Sequence, residues 1–200
     1  MQQQTATKAP PRKAVGAGNV FVSFLPWIIF GVVAGPSTWK YAALAALAAS
    51  LLVSGRDLTH RQWNVLDVTG IVFFAVLCVL ALVLDRHTLI WVETYAQVIA
   101  SLAVAVVALG SLAFDPFTAQ YARRGTPPHL WNTPVFKHVN VVLTAMWGGV
   151  FLVMAVLSWL AIRFPSASDW CNWVVPAVLL VWAVKFTERY PEAYKEKVLR

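Results

Sequence analysis

Charge is what this chain of 200 residues has least of: Asp, Glu, Lys and Arg make up 12% of it. A soluble domain carries about 25%, so too little polar surface is present to face water. That shortage excludes a soluble enzyme, a nucleic-acid-binding module and a disordered chain. Cysteine is almost absent too: Cys78 and Cys171 are the only two, without CxxC or metal spacing. Histidine numbers four. His60, His87 and His129 fall between apolar runs, and His138 lies at the end of one. A b-type haem needs two axial ligands facing each other inside a bundle, and no pair is so placed. Clustered acids and a glycine-rich nucleotide loop are also missing. The sequence therefore names no catalytic residue, and we expect no metal and no cofactor.

What is present is apolar. Hydrophobic residues reach 59%, and the mean hydropathy is +0.65. Six apolar segments can be read at 20–35, 39–54, 66–84, 89–114, 139–162 and 170–187. A helix needs about 20 residues to cross the hydrocarbon core. The first two segments are short and flank Gly35-Pro36-Ser37, a turn signal, so they read as a helical hairpin. Pro36 also makes a poor site for signal cleavage after Val33-Ala34-Gly35. The sixth segment contains Pro176, which a membrane helix accepts with a kink. The expected fold is all-α: a polytopic integral membrane protein of six transmembrane helices. Residues 1–18 read as a flexible cytoplasmic tail, 19–187 as the membrane domain with a cytoplasmic loop at 115–138, and 188–200 as a basic cytoplasmic tail.

Positive charge gives the expected orientation. With the N-terminus inside, every one of the 16 Lys and Arg residues except Lys40, Arg86 and Arg163 falls on the cytoplasmic side. Both termini are then inside. The tryptophans agree, with Trp39, Trp91, Trp159, Trp170 and Trp173 near the outer interface and Trp63, Trp131 and Trp182 near the inner one, where an indole is most favourably placed. Cys78 lies roughly 9 Å, at 1.5 Å per residue, below the outer end of its segment, whereas Cys171 sits at the outer mouth. A disulfide is not expected at that separation.

Polar groups inside the membrane are where function is first sought. Glu93, Gln97, Ser101, Ala105 and Ala108 share one helical face. That polar, small-residue stripe reads either as a protonatable or substrate-binding site or as an interfacial Glu above a packing surface. Asn140, Thr144, Trp147 and Phe151 share a face of the fifth segment. They read either as a structural polar seam or as the wall of a small-molecule pocket, and the Trp147 N–H needs a partner. Gly148 and Gly149 allow a neighbouring helix to approach. Asp67 reads as a helix-start acid, with Arg56 or Arg61 as possible ion-pair partners. The 115–138 loop holds Tyr121, Arg123 and Arg124. It reads as a solvated topology signal or as an ordered surface for an anionic headgroup or an acidic partner segment.

The FLPWIIF start of the first segment, the hairpin, Trp147 in the fifth segment and WCNW opening the sixth together resemble the bacterial intracellular septation protein A family. Phe24-Leu25-Pro26, Trp147 and Trp170/Asn172 carry the likeness. Thr144, where the family favours Asn, and the PFTAQYARRG loop depart from it. The resemblance implies a small protein of the bacterial inner membrane linked to envelope synthesis and division, and it implies no catalytic residue. The expected function is therefore non-enzymatic, acting through membrane lipids (anionic headgroups at the cytoplasmic face) or other membrane proteins, with no nucleic acid. The alternatives are a small-molecule or ion transporter using Glu93 and a seam between helices four and five, and a membrane enzyme acting on lipids or quinones.

Overall fold

A backbone in hydrocarbon must satisfy its own hydrogen bonds, as a helix does within one segment. The computed structural model describes residues 16–34, 38–59 and 64–199, with side chains over 22–34, 38–55 and 64–198, and every element among them is helical. Six long helices are α1 (Gly16–Val33), α2 (Trp39–Thr59), α3 (Val65–Val83), α4 (Arg86–Ser111), α6 (Pro134–Arg163) and α7 (Val175–Leu199), and a short α5 (Phe117–Ala122) lies between α4 and α6. Four stretches are long and apolar enough to cross a membrane: Val65–Val83, Arg86–Ser111, Pro134–Arg163 and Trp170–Val198. In α1 and α2 the apolar stretches are shorter, Val22–Val33 and Trp39–Gly55.

The boundaries follow local chemistry. Thr133 caps α6 by accepting from the Phe136 N–H, and Pro134 occupies the first turn, where its missing N–H costs nothing. The expected loop at 115–138 therefore ends five residues early, at the cap. Asp85 caps α4, accepting from the His87 and Thr88 amides and from the Thr88 hydroxyl. The Thr88 bonds, chiefly, hold its carboxyl below the ordinary range. Helix α1 begins at Gly16, inside the expected tail, and residues 1–15 lie outside the described ones. Helix α7 runs through the expected C-terminal tail to Leu199. Its Trp182, Phe186, Tyr190 and Tyr194 stack in turn at four-residue spacing. His138 of α6 lies 4.4 Å from the Tyr194 ring.

Packing pairs α1 with α2, α2 with α3, and most extensively α4 with α6; α7 leans on α6. Small residues make the central contact possible. Val92, Ala96, Ala100, Val104 and Ala108 form the buried stripe of α4. A side chain at Gly148 would meet Leu109 at 2.5 Å. Nothing lies within 4 Å of such an atom at Gly149, so of the pair only Gly148 serves the approach. Elsewhere the chain is bare: Leu52, Leu82 and Phe114 are 83%, 87% and 93% exposed. A surface so apolar belongs in lipid.

Candidate functional site

Two polar centres stand at opposite ends of the bundle. The first begins on α4. Its polar stripe lies one residue beyond the packed alanine stripe, about 100° round the helix, so Glu93, Gln97 and Ser101 are part-buried on its shoulder rather than in the α4–α6 contact. That shoulder forms one wall of a cavity of about 420 Å³ between α1, α4, α6 and α7. Phe24, Trp147 and Phe151 line it with rings in mutual contact, Phe24 stacking on Trp147 at 4.9 Å. Gln97, Ser101, Ser158 and Asn172 are its polar lining. A second cavity of about 550 Å³ shares Gln97, Ser158, Asn172 and Trp173 and adds Glu93 and Thr94. The two adjoin across these shared residues, which places the carboxylate beside the polar end of the aromatic cavity.

Each of these polar groups has an identifiable state. Gln97 Nε2 donates to Gly31 O at 2.9 Å and to Ala34 O at 3.3 Å. It thus brings a donor to carbonyls at the C-terminal end of α1. The Thr94 hydroxyl donates to Ile90 O. Glu93 makes no hydrogen bond or ion pair among the described residues. Asn172 Oδ1 is buried without a hydrogen-bond partner. It lies in a π-helical turn, Trp170–Val174, in which the Val175 N–H reaches back to Trp170 O. Pro176 explains the turn: it lacks the N–H that would close a normal bond to Asn172 O. Such π-bulges recur at functional sites. Trp147, expected to need a partner, donates to Thr187 Oγ1 at 3.0 Å, and Thr187 in turn donates to Ala183 O.

The second centre surrounds α5. The loop is ordered, with Phe117, Thr118, Ala119 and Tyr121 buried. Free amides at its start are met by side chains: the Phe117 N–H donates to Ser111 Oγ and the Thr118 N–H to Thr144 Oγ1. Thr118 Oγ1 donates to Asn140 O at 2.9 Å and lies 2.8 Å from Thr144 Oγ1. Asn140 and Thr144 are both buried, as their shared face implies: the Thr144 hydroxyl and the Asn140 backbone carbonyl seat α5, while the Asn140 amide donates to Phe136 O at 2.8 Å within its own helix. They do not meet Glu93. Gln120 ties α5 to α3, accepting from the Val65 N–H. Asp67 is the helix-start acid the sequence suggests, and it accepts from Tyr121 OH at 3.0 Å and from Asn64 Nδ2 at 2.7 Å. The side chains of Arg56 and Arg61 lie outside the described residues. Burial first, and then the Asp67 carboxylate, push the Tyr121 phenol far above its ordinary range, so it stays a donor.

The paired arginines divide. Arg123 makes a two-pronged ion pair with Asp115, at 2.6 and 2.7 Å, and lies 5.8 Å from the Trp131 ring. The bond to Asp115 raises the pKa of its guanidinium further above an already high ordinary value. Arg124 lies 5.8 Å over the Tyr121 ring. Compared with family models, curated proteins and solved structures, the chain gives no match. Among the described residues, no three His, Cys, Asp or Glu side chains gather to hold a metal. Both cysteines are free thiols. Sequence reasoning found the stripe on α4 and the face on α6. It missed the part Asn172 and Ser158 play, although Pro176 four residues after Asn172 is the readable signal of the π turn.

Proposed function

We propose that this chain is a non-enzymatic protein of the bacterial inner membrane that holds a single lipid-like amphiphile in the cavity between α1, α4, α6 and α7. The observation that carries the reading is the cavity itself. Its volume of about 420 Å³ falls in the usual range of roughly 300–1,000 Å³ for small-molecule sites. Its walls are aromatic and aliphatic, with a few polar groups contributed by α4, α6 and the π turn. The likeness to the intracellular septation proteins lends support: of the residues that carry it, Phe24, Trp147 and Asn172 line this cavity, while Leu25, Pro26 and Trp170 do not. A role in envelope synthesis or division follows from that likeness.

The topology belongs to the same proposal. At 1.5 Å per residue, α1 (18 residues) and α2 (21 residues) reach about 27 and 32 Å, close to the hydrocarbon thickness of about 30 Å. Six spans with both termini cytoplasmic then put the Glu93 end outside and α5 inside. Arg124, Lys137 and the lysines of α7 face the anionic leaflet, where each adds about 1 kcal/mol of attraction, and other membrane proteins can dock on the exposed face of α7. A second reading, transport of a small molecule or ion, is favoured by the adjacency of the two cavities beside Glu93. It is weakened by the engagement of the Thr144 hydroxyl with Thr118 and of the Asn140 amide with Phe136 O.

The test is native mass spectrometry of the protein purified in mild detergent. The wild type should retain one lipid-sized adduct. Ala177→Trp, which fills the cavity from an exposed position in its wall, should lose it. An adduct unaffected by that substitution contradicts the reading. Uptake into proteoliposomes that requires Glu93 would favour transport instead.

A further inference from the structure

We infer that the amphiphile taken by this cavity carries a cationic, hydrogen-bond-donating head, of the primary-amine class, seated against Glu93. This inference rests on the proposed cavity and adds the chemistry of its polar end. Among the described residues, the walls of the two adjoining cavities contain one formal charge, the Glu93 carboxylate, and no Lys, Arg or His. That carboxylate has no partner among the described residues, although it is part-buried. A carboxylate in a low-dielectric wall gains most from an opposite charge brought to it. An anionic head would meet the same carboxylate with no countercharge.

Three of the neutral groups offer acceptors to the same head. Both N–H bonds of the Gln97 amide are engaged by Gly31 O and Ala34 O, which leaves its Oε1 as an acceptor. The Thr94 hydroxyl proton is engaged by Ile90 O, which leaves lone pairs. Asn172 Oδ1, buried in the wall shared by both cavities, has no donor. A buried acceptor without a donor is costly, and an ammonium has three donors to give. Among the described residues the polar end carries a negative charge and an unmet buried acceptor but no positive charge, and an amine head answers both while its chain lies over Phe24, Trp147 and Phe151.

The experiment uses three probes of one chain length: hexadecylamine, hexadecan-1-ol and hexadecanoic acid. Purified full-length protein in detergent is offered an equimolar mixture at pH 7, and retained probe is quantified after gel filtration. The wild type should hold the amine at least tenfold over the acid, with the alcohol between them. Glu93→Gln should bring amine and alcohol within about threefold of each other. Ala177→Trp should reduce all three. Equal retention of the three probes, or preference for the acid, overturns the head-group inference while leaving the cavity reading intact if Ala177→Trp still abolishes retention. An amine preference unchanged in Glu93→Gln also overturns it. Retention untouched by Ala177→Trp overturns the cavity reading itself. The wild-type order needs no variant, so a poorly folding substitution does not blunt the test.

Discussion

Tyr121 shows how far one side chain can tie this molecule together. It joins α5 to α3 through Asp67 and lies beneath Arg124. Tyr121→Phe removes one donor from a buried carboxylate and should cost on the order of 1–3 kcal/mol, read by unfolding in mixed micelles at pH 7. The sign with pH follows from the raised phenol. Below its ordinary value of 10.0 its contribution is complete. Above that pH the unfolded chain ionises first, so the gap between wild type and Tyr121→Phe should narrow. In a spectroscopic alkaline titration, one of the five tyrosines should stay un-ionised until the fold is lost. Gln97 is the second case. Gln97→Leu leaves the carbonyls of Gly31 and Ala34 without its amide, so it should lower thermal stability in detergent more than Val98→Leu does. Equal effects would mean that the stripe has no preferred direction. Helical spacing alone gave the right faces for Gln97 and Thr144. Their partners were not legible, because a periodicity names a direction and not what stands there.

Among the elements, the long helices could be read within a few residues wherever hydropathy ends at a turn: α3 was expected at 66–84 and runs Val65–Val83. It failed where a helix outlasts its apolar run. Lys137 and His138 interrupt the hydropathy of α6, yet Thr133 and Pro134 start the helix before them. The aromatic ladder carries α7 past Lys185 in the same way. Helix α5 was hidden for a different reason. Six residues cannot hold a helix by propensity, and this one is built by Ser111, Thr144 and Asn140 from outside it. The α4–α6 contact makes a prediction of its own. Gly148→Ala drives a methyl into Leu109, and overpacking of this kind costs about 1–3 kcal/mol. Gly149→Ala meets nothing and should be neutral or slightly stabilising, since alanine favours helix over glycine. Thermal unfolding of the two variants in detergent checks the pair, and equal losses would contradict the packing.

For the whole molecule the account joins a topology to a cavity. Reporter fusions after Arg86 and after Ser168 should both report the outside, and a cytoplasmic signal at either breaks the six-span arrangement. Composition was enough to place the chain in a membrane, because 12% charge leaves a soluble fold too little to cover itself with. The cavity was not legible at that level. It arises where α1, α4, α6 and α7 meet imperfectly, around a π turn that Pro176 imposes, and no single helix carries its outline. The most direct measurement is therefore one of position. A hexadecan-1-ol analogue with a diazirine midway along its chain, photolysed on the protein in detergent and mapped by peptide mass, should label the cavity wall at residues such as Phe24, Val104, Met154 and Leu180. The account predicts that labelling and its loss in Ala177→Trp; label spread instead over Leu52 and Leu82, on the bare faces of α2 and α3, would contradict it.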